Sequence, residues 1–454
     1  MAAPRLKSSR RPGSSPVSAG RQARLVLPTS AQELVRVLES ATHYPSPVRA
    51  IGSGSSSTRC TEALGGTSVD LSEMNRVLRI GHDSVTVQPG ITLAELADIL
   101  DARGLELIGG FDFANRTVGG AVSASGLEAL GAGDASSFAA NVLQVKFVTA
   151  DGRKGCVNAD TQTMLRLFRL SYGLLGIAYE ITLRVRPIQS FNVRSIRIDV
   201  ADIENLLVQL AHTRASARLR LFPFRRAVHC ELRETAAGSG TGARLAWRLK
   251  SWTANSALPA AAFALAKAMP VGRLRYGIVD SLGETTMNLS TLGPLKTGSG
   301  ATEQLTRTNI FGNSPIEHTS WAFPQRGFAT TAAAWFDFCR QHYERTGFRC
   351  DPPAVALPSP RDSGALLSPS FDQPIVTLTA VNNPVDGWND FAFEFAEFAT
   401  DHGGIPLFGQ SLHASAANVK SAYDKRWTAF CKTRAQLDPE KRLVNSFFQA
   451  FITE

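Results

Sequence analysis

The sequence predicts an α+β protein on three observations. Apolar residues alternate at period two through much of the first 190 residues, the few helices there are short and capped, and the texture changes near Phe191 into a second mixed region. With 454 residues, 44% hydrophobic and 19% charged, the chain has room for two or three domains with real cores. The formal charge of +9 is concentrated at one end, where Arg5, Lys7, Arg10, Arg11, Arg21 and Arg24 lie with no acid among them. Nine less these six leaves +3 for the body, which argues against nucleic acid as a partner.

Residues 1–24, rich in Arg, Ser, Pro and Gly, read as a disordered basic tail. They lack the apolar stretch of a secretory signal and the amphipathic pattern of a transit peptide, so the expected location is cytoplasmic. Cys60, Cys156, Cys230, Cys339, Cys350 and Cys431 are scattered and form no CxxC, which predicts neither a disulfide framework nor a zinc site. No apolar run reaches the length of a membrane span.

Ser30 and Glu33 predict a capping box ahead of the stripe Leu34, Val37, Leu38. A short strand, Val48–Ile51, then breaks into Gly52-Ser53-Gly54-Ser55-Ser56-Ser57, a turn whose glycines and serines suit a bound phosphate. Thr67–Leu71 reads as a strand, and Arg76–Ile80 with Ser84–Gln88 as a hairpin. Pro89-Gly90 leads into a helix with Thr92 and Glu95 as its box, Leu93, Leu96, Ala97 and Leu100 as its stripe and Gly104 as its stop. Thr117–Gly126 has too few large side chains to pack alone, so something else must lie against it. Val142–Thr149 begins a hairpin turned by Asp151-Gly152, Thr161–Arg169 is helical, and Ile177–Pro187 alternates as an antiparallel strand with one wet face.

Beyond Phe191, Thr235–Thr241 reads as a linker, Ala243–Met269 as a buried cap helix or an amphipathic one touching a membrane surface, and Leu282–Thr308 as loop. Trp335, Phe338 and Cys339 share a helical face, Phe371–Val381 is strand-like, and Phe391, Phe395 and Phe398 form a core stripe. Asn418–Arg434 is a helix, followed by the apolar ending Leu443–Ile452.

Gly52 and Gly54 after a strand, with Asp70 beyond, invite a dinucleotide-binding reading. It fails because Ser57 replaces the third glycine and Thr58–Thr67 has no helical stripe. No Walker sequence is present, and the eight histidines are isolated, so no metal is expected.

The words Arg49–Ser57, Val69–Arg76, Val85–Gly90, Thr117–Gly120 and Gly173–Pro187 resemble, in order and spacing, the FAD-binding domain of the vanillyl-alcohol oxidase/p-cresol methylhydroxylase flavoproteins. The remainder resembles the aldonolactone-oxidase branch, through Trp321–Pro324, Leu366–Pro369, Gly403–Pro406 and Leu437–Ser446. The resemblance implies a two-subdomain FAD-binding domain (25–190), an α+β cap that forms the substrate domain (191–417), and a C-terminal segment (418–454) returning to the FAD domain. It implies FAD over Ile51, Gly52, Ser53, Gly54, Ser55, Ser56 and Ser57. Pro89, Gly90, Thr117, Val118, Gly119, Gly120, Ala124, Ser125, Gly126 and Leu127 surround the rest, and Ile177 meets the adenine side.

Departures from that pattern carry information. Many relatives hold the flavin covalently through a histidine at the position of Ser55; a serine there implies non-covalent FAD. Sugar oxidases of the branch carry a Glu-x-Arg pair where this chain reads Ala354-Val355-Ala356-Leu357-Pro358, and a lysine near Gln410. The loss of that set predicts a small, more apolar alcohol such as a hydroxylated natural product as substrate, with O2 or another acceptor taking the electrons. His318, Gln410 and His413 are the candidate catalytic residues, His318 first as a base. Two other readings stand beside this one: an aldonolactone or alditol oxidase, and a flavoprotein fold with a non-redox catalytic or binding role.

Overall fold

The computed structural model describes residues 23–109, 115–126, 137–213, 215–236, 276–277, 281, 295–296, 317–350, 352–382 and 386–452. The tail to residue 22, the Ala-rich segment 243–269 and Leu127 lie outside them.

Three sheets organise these residues. The first is a small parallel sheet of β1 (Arg24–Val26), β3 (Thr67–Asp70) and β2 (Val48–Ile51), in the order β1-β3-β2. Against it packs α1 (Ala31–Glu39) through Leu34, Val35, Val37 and Leu38. Ser30 accepts from the Glu33 N–H as a cap should, but the Glu33 carboxylate bonds the Thr29 N–H at 2.8 Å, one residue ahead of the expected box.

The second sheet has the path β4-β5-β9-β7-β8. It is built from β4 (Val77–Ile80), β5 (Ser84–Val87), β7 (Val142–Val148), β8 (Lys154–Asn158) and β9 (Ile177–Pro187), with β6 (Leu105–Leu107) also pairing β9. All its pairings are antiparallel. Between and over its strands lie α2 (Leu93–Asp101), which has the full Thr92/Glu95 box, α3 (Val118–Ser123) and α4 (Gln162–Phe168). The small-residue stretch is therefore helical at its centre, where glycines let the helix lie close to its neighbours.

The third sheet has eight strands in the order β13-β10-β12-β11-β15-β16-β14-β17. They are β10 (Ser190–Ile198), β11 (Ala215–Phe222), β12 (Ala227–Ala236), β13 (Leu295–Lys296), β14 (Glu317–Pro324), β15 (Ala354–Ser359), β16 (Ile375–Asn382) and β17 (Ile405–Pro406). Two expectations are corrected. Leu295–Lys296, within a stretch expected to be loop, pairs with β10, and the strand expected from Phe371 starts at Ile375.

One face of this sheet is covered by α5 (Ile203–His212), α6 (Phe328–Thr346) and α7 (Trp388–Asp401). Trp335, Phe336, Phe391 and Phe395 are almost wholly buried there, each contributing roughly 1.5–3 kcal/mol by burial. The stripe Phe391, Phe395, Phe398 is core, as its spacing predicts. The other face joins the flavin-domain core: Ala322 and Ile375 cluster with Leu407, Phe408 and residues of the second sheet.

The chain ends with α8 (Ala416–Leu437), broken at Asp424 where φ is 37°, and α9 (Ser446–Gln449). Between them Arg442 donates to the carbonyls of Val37 (2.7 Å) and Leu38 (2.9 Å), which α1 leaves open at its C-terminal end. Reciprocally, Arg49 of β2 donates to the carbonyls of Leu443 (2.7 Å), Cys60 (2.8 Å) and Tyr172 (2.6 Å). Burial lowers the Arg49 guanidinium to about 10, although Cys60 and Asp438 act the other way. These two arginines tie the last segment to the first sheet and orient the turn that follows β2.

Candidate active site

The Gly/Ser turn leaves β2 at Ile51 and reverses at Gly54, where φ is 74°, a value that glycine adopts without strain. The backbone N–H groups of Ser53, Gly54, Ser55 and Ser56 make no hydrogen bond to another described residue. The Ser57 hydroxyl is buried and also without a partner. Four unspent amides beside an orphaned hydroxyl fit an anionic group such as a pyrophosphate. The residues present thus suit the cofactor that the sequence implies.

Thr117–Gly120 behaves differently. Val118 N–H donates to Ile91 O and Gly119 N–H to Pro89 O, both at 2.8 Å, and Gly120 N–H donates to Thr117 Oγ1 at 3.2 Å. A Cβ on Gly119 would sit 2.8 Å from Pro89 Cβ, one on Gly90 would sit 1.9 Å from Leu71 O, and one on Gly52 would sit 2.4 Å from Thr117 Oγ1. These three glycines therefore let protein approach protein. Their role is to bring the Gly/Ser turn, Pro89-Gly90 and the start of α3 into contact.

After α3, Arg116 reaches the carbonyls of Gly120 (3.1 Å) and Ala124 (2.6 Å), while Ser125 shares a 2.7 Å hydrogen bond with the Tyr172 hydroxyl. Burial pushes the Tyr172 phenol up to about 12, so it stays protonated and able to donate. Tyr172 also meets Phe408 edge-on at 5.2 Å. Gly126 is half-buried beside this loop. Ile177 is buried in the core of the first sheet, so its side chain is not at an open surface.

The cap meets the Gly/Ser turn at Phe408 and Gly409. Gly409 O accepts from Ser57 N–H at 2.9 Å, and Phe408 O accepts from Thr58 Oγ1 at 2.6 Å. A Cβ on Gly409 would stand 3.5 Å from Ser56 Oγ and 3.9 Å from Ala124 Cβ. The next residue, Gln410, is buried and its Oε1 lies 2.5 Å from His318 Nε2. With Oε1 as acceptor, Nε2 carries the proton and Nδ1 the lone pair; a flipped amide would exchange the two. Ser320 N–H donates to Gln410 O at 3.1 Å, and Ser411 Oγ donates to Ser320 O at 2.5 Å, which holds β14 against this joint.

His318 and Gln410 thus come together beside the turn, and His413 does not join them. Its ring packs on Phe393, and its Nε2 lies 3.2 Å from Asn389 Oδ1, both on α7 at the helical side of the sheet. Partial burial lowers its imidazole from the ordinary value. The alternation of β14 explains the separation of faces: Trp321 and Phe323 enter the helical core, while Ser320 and Ala322 share the parity of His318 on the flavin-domain side.

Sequence reading passed over the rest of that face. Ser320 Oγ meets Thr379 Oγ1 at 3.0 Å. Val355 and Leu357 share this face because Ala354 and Ala356 belong to the helical core. Further out, Glu231 Oε1 accepts from Arg233 Nε (2.9 Å) and Nη2 (2.7 Å). Burial alone would raise its carboxyl, but Arg233, Arg218 and Arg220 together hold it down at about 2. The signal for these strands was present as the alternation of Ala215–Phe222 and of Ala227–Ala236.

The comparisons with known proteins support an FAD-dependent oxidoreductase. Residues 22–154 match an FAD binding domain, and residues 360–451 match the D-arabinono-1,4-lactone oxidase family. Each match spans less than half of the chain, and together they make it similar to the FAD-dependent aldonolactone oxidases. It is 22% identical over 435 residues to the L-gulono-1,4-lactone dehydrogenase of Mycobacterium tuberculosis, covering 93% of this chain and 94% of that one. The L-gulonolactone oxidase of Bos taurus is 31% identical over 165 residues, 35% of this chain and 36% of that one. In fold, the chain is similar to the cholesterol oxidase of B. sterolicum, with a TM-score of 0.70 at 14% identity over 95% of this chain and 94% of that one. No helix among the described residues is long and apolar enough to cross a membrane, and no group of three or more His, Cys, Asp or Glu among them could hold a metal ion.

Proposed function

We propose that the protein binds FAD without a covalent tether and oxidises an alcohol carbon of a small molecule held between the Gly/Ser turn and the flavin-domain face of the cap sheet. The observation that supports this reading is the Gly409 joint: Gly409 O accepts from Ser57 N–H at the end of the Gly/Ser turn, and the next residue, Gln410, bonds His318. FAD, when bound, supplies the hydride acceptor. The chain supplies the rest: Gln410 fixes the imidazole of His318, and one ring nitrogen takes the hydroxyl proton. Ser55, which cannot form the histidyl link of many relatives, supports dissociable FAD.

A lactone substrate is the second reading, favoured by a relative named as an L-gulono-1,4-lactone dehydrogenase that spans nearly the whole chain. Following the bleaching of bound flavin under nitrogen with L-gulono-1,4-lactone and with long-chain alcohols separates the two. For whichever compound reduces the flavin, His318→Ala should keep FAD and slow reduction by about 10²–10⁴-fold. Reduction at a near-normal rate would remove His318 from the chemistry.

A further inference from the structure

The helical layer on the outer side of the cap sheet carries an open groove of about 680 Å³ between α6 and α7. Its lining repeats at helical spacing on both walls, with Ala334, Phe338 and Gln341 from α6 and Phe393, Glu397 and Asp401 from α7. Phe338 and Phe398, 5.3 Å apart, form an aromatic floor. Phe393 keeps 50% of its surface although the His413 ring packs edge-on against it, and it is the one aromatic among the large apolar side chains that the described residues leave exposed. Four carboxylates stand round this floor, and two are already engaged: Asp337 bonds Arg340 and lies 3.5 Å from Arg226, and Glu394 bonds His342 at 2.7 Å and also Arg345. Glu397 and Asp401, both exposed and one turn apart on α7, form no ion pair with a described residue.

The chain contains a segment of the opposite character. Residues 1–22, which lie outside the described residues, hold Arg5, Lys7, Arg10, Arg11 and Arg21 with no acid, and the first four of these cations fall within Arg5–Arg11. An arginine can pair with Glu397 or Asp401 while its guanidinium plane lies on the Phe393 ring, so an aromatic groove with an acidic rim suits an arginine-rich segment. The segment's own groove is out of reach. It enters the fold at β1 in the flavin domain, and the groove lies beyond the flavin-domain core and the cap sheet. From Arg11 to Arg24 the chain spans at most about 47 Å, whereas the way round the molecule approaches half the girth of a globule with a radius of gyration of roughly 22 Å, or about 90 Å.

We propose that the groove between α6 and α7 seats Arg5–Arg11 of a second copy of this chain, in a reciprocal exchange that forms a symmetric dimer. Each copy offers one groove and one segment, so two seats close the pair and leave no groove open for a third copy. Glu397 and Asp401 take the arginines, and Phe393 gives them an aromatic surface that is otherwise left to water. Because these ion pairs form at an exposed surface, salt screens them, and the dimer is strongest at low ionic strength.

The test is sedimentation of the full chain, supplied with FAD, at about 50 µM. The unmodified protein should be dimeric at about 50 mM salt, and its association should weaken at least tenfold at about 500 mM. Two double variants reverse the charges: Glu397→Lys with Asp401→Lys changes the groove, and Arg10→Glu with Arg11→Glu changes the segment. Each alone should be monomeric with its FAD content and melting temperature kept. Mixed in equal amounts they should form the dimer again, because each variant's segment then meets a groove of opposite charge. The segment variant leaves α7 untouched, so it decides the question should the groove variant fail to fold. An unmodified chain that is monomeric at low salt, a dimer that either variant keeps, or a mixture of folded variants that stays monomeric overturns the inference.

Discussion

The flavin cradle and the cap face that closes over it are built on opposite principles. In the cradle, the groups proposed to meet the cofactor are main-chain amides from one turn, Ser53–Ser56, and the conspicuous glycines around them, Gly52, Gly90 and Gly119, make space for protein. In the proposed reading the cap instead contributes side chains from separate elements, His318 from β14 and Gln410 from the turn after β17. A main-chain site tolerates changes of side chain provided the turn keeps its shape. A side-chain site can be rewritten one strand at a time, and substrate choice can therefore diverge while the cofactor site remains recognisable.

The contrast breaks first at the glycines. Gly52→Val would drive a branched side chain into Thr117, and overpacking of roughly 3 kcal/mol should weaken FAD binding by about 100-fold. Gly54→Ala meets open space and is strained only by its φ, so a titration with FAD should find a loss of about tenfold or less. Equal losses at the two sites would remove the distinction between packing and ligand-facing positions. Next in size, Arg49→Met should destabilise the protein by roughly 2–4 kcal/mol, since three carbonyls lose their shared donor; a melting temperature within a degree of the parent would contradict the clamp.

Smaller still is a pH effect that compares the regions directly. Burial pushes Tyr172 in the cradle and Cys230 in the cap sheet each up to about 12. Each favours its neutral form when folded, so the stability it contributes is complete below its ordinary pKa, near 10 for tyrosine and 9 for cysteine, and is lost as pH rises toward 12. For Tyr172 that amounts to about 3 kcal/mol at most. Tyr172→Phe should flatten the cradle's part of an alkaline unfolding curve and cost about 1 kcal/mol at neutral pH through Ser125; an unchanged alkaline limb would show that the phenol does not report on folding.

Much of the cradle was legible because its signals are local. Turn residues, capping boxes and period-two strands lie within a few positions of one another, and the ordered words Arg49–Ser57 through Gly173–Pro187 carry the resemblance to an FAD-binding domain that the match over residues 22–154 supports. What Thr117–Gly120 does was less legible, because only the fold shows that its amides are spent on Pro89, Ile91 and Thr117 itself. The cap was legible as core, through Phe391, Phe395 and Phe398, but not as a site. His318 and Gln410 are 92 residues apart, and their meeting depends on β14 and the Leu407–Leu412 turn being zipped together. His413, a candidate in sequence behind His318, falls on the other face, because Leu412 N–H turns toward Thr319 and the chain then follows the helices.

The most direct test of the account is the state of the flavin in the purified protein. Acid precipitation followed by spectroscopy of pellet and supernatant should find one FAD for each chain, all of it in the supernatant. Flavin retained in the pellet would contradict the role given to Ser55, and protein that neither carries nor takes up FAD would contradict the cradle itself.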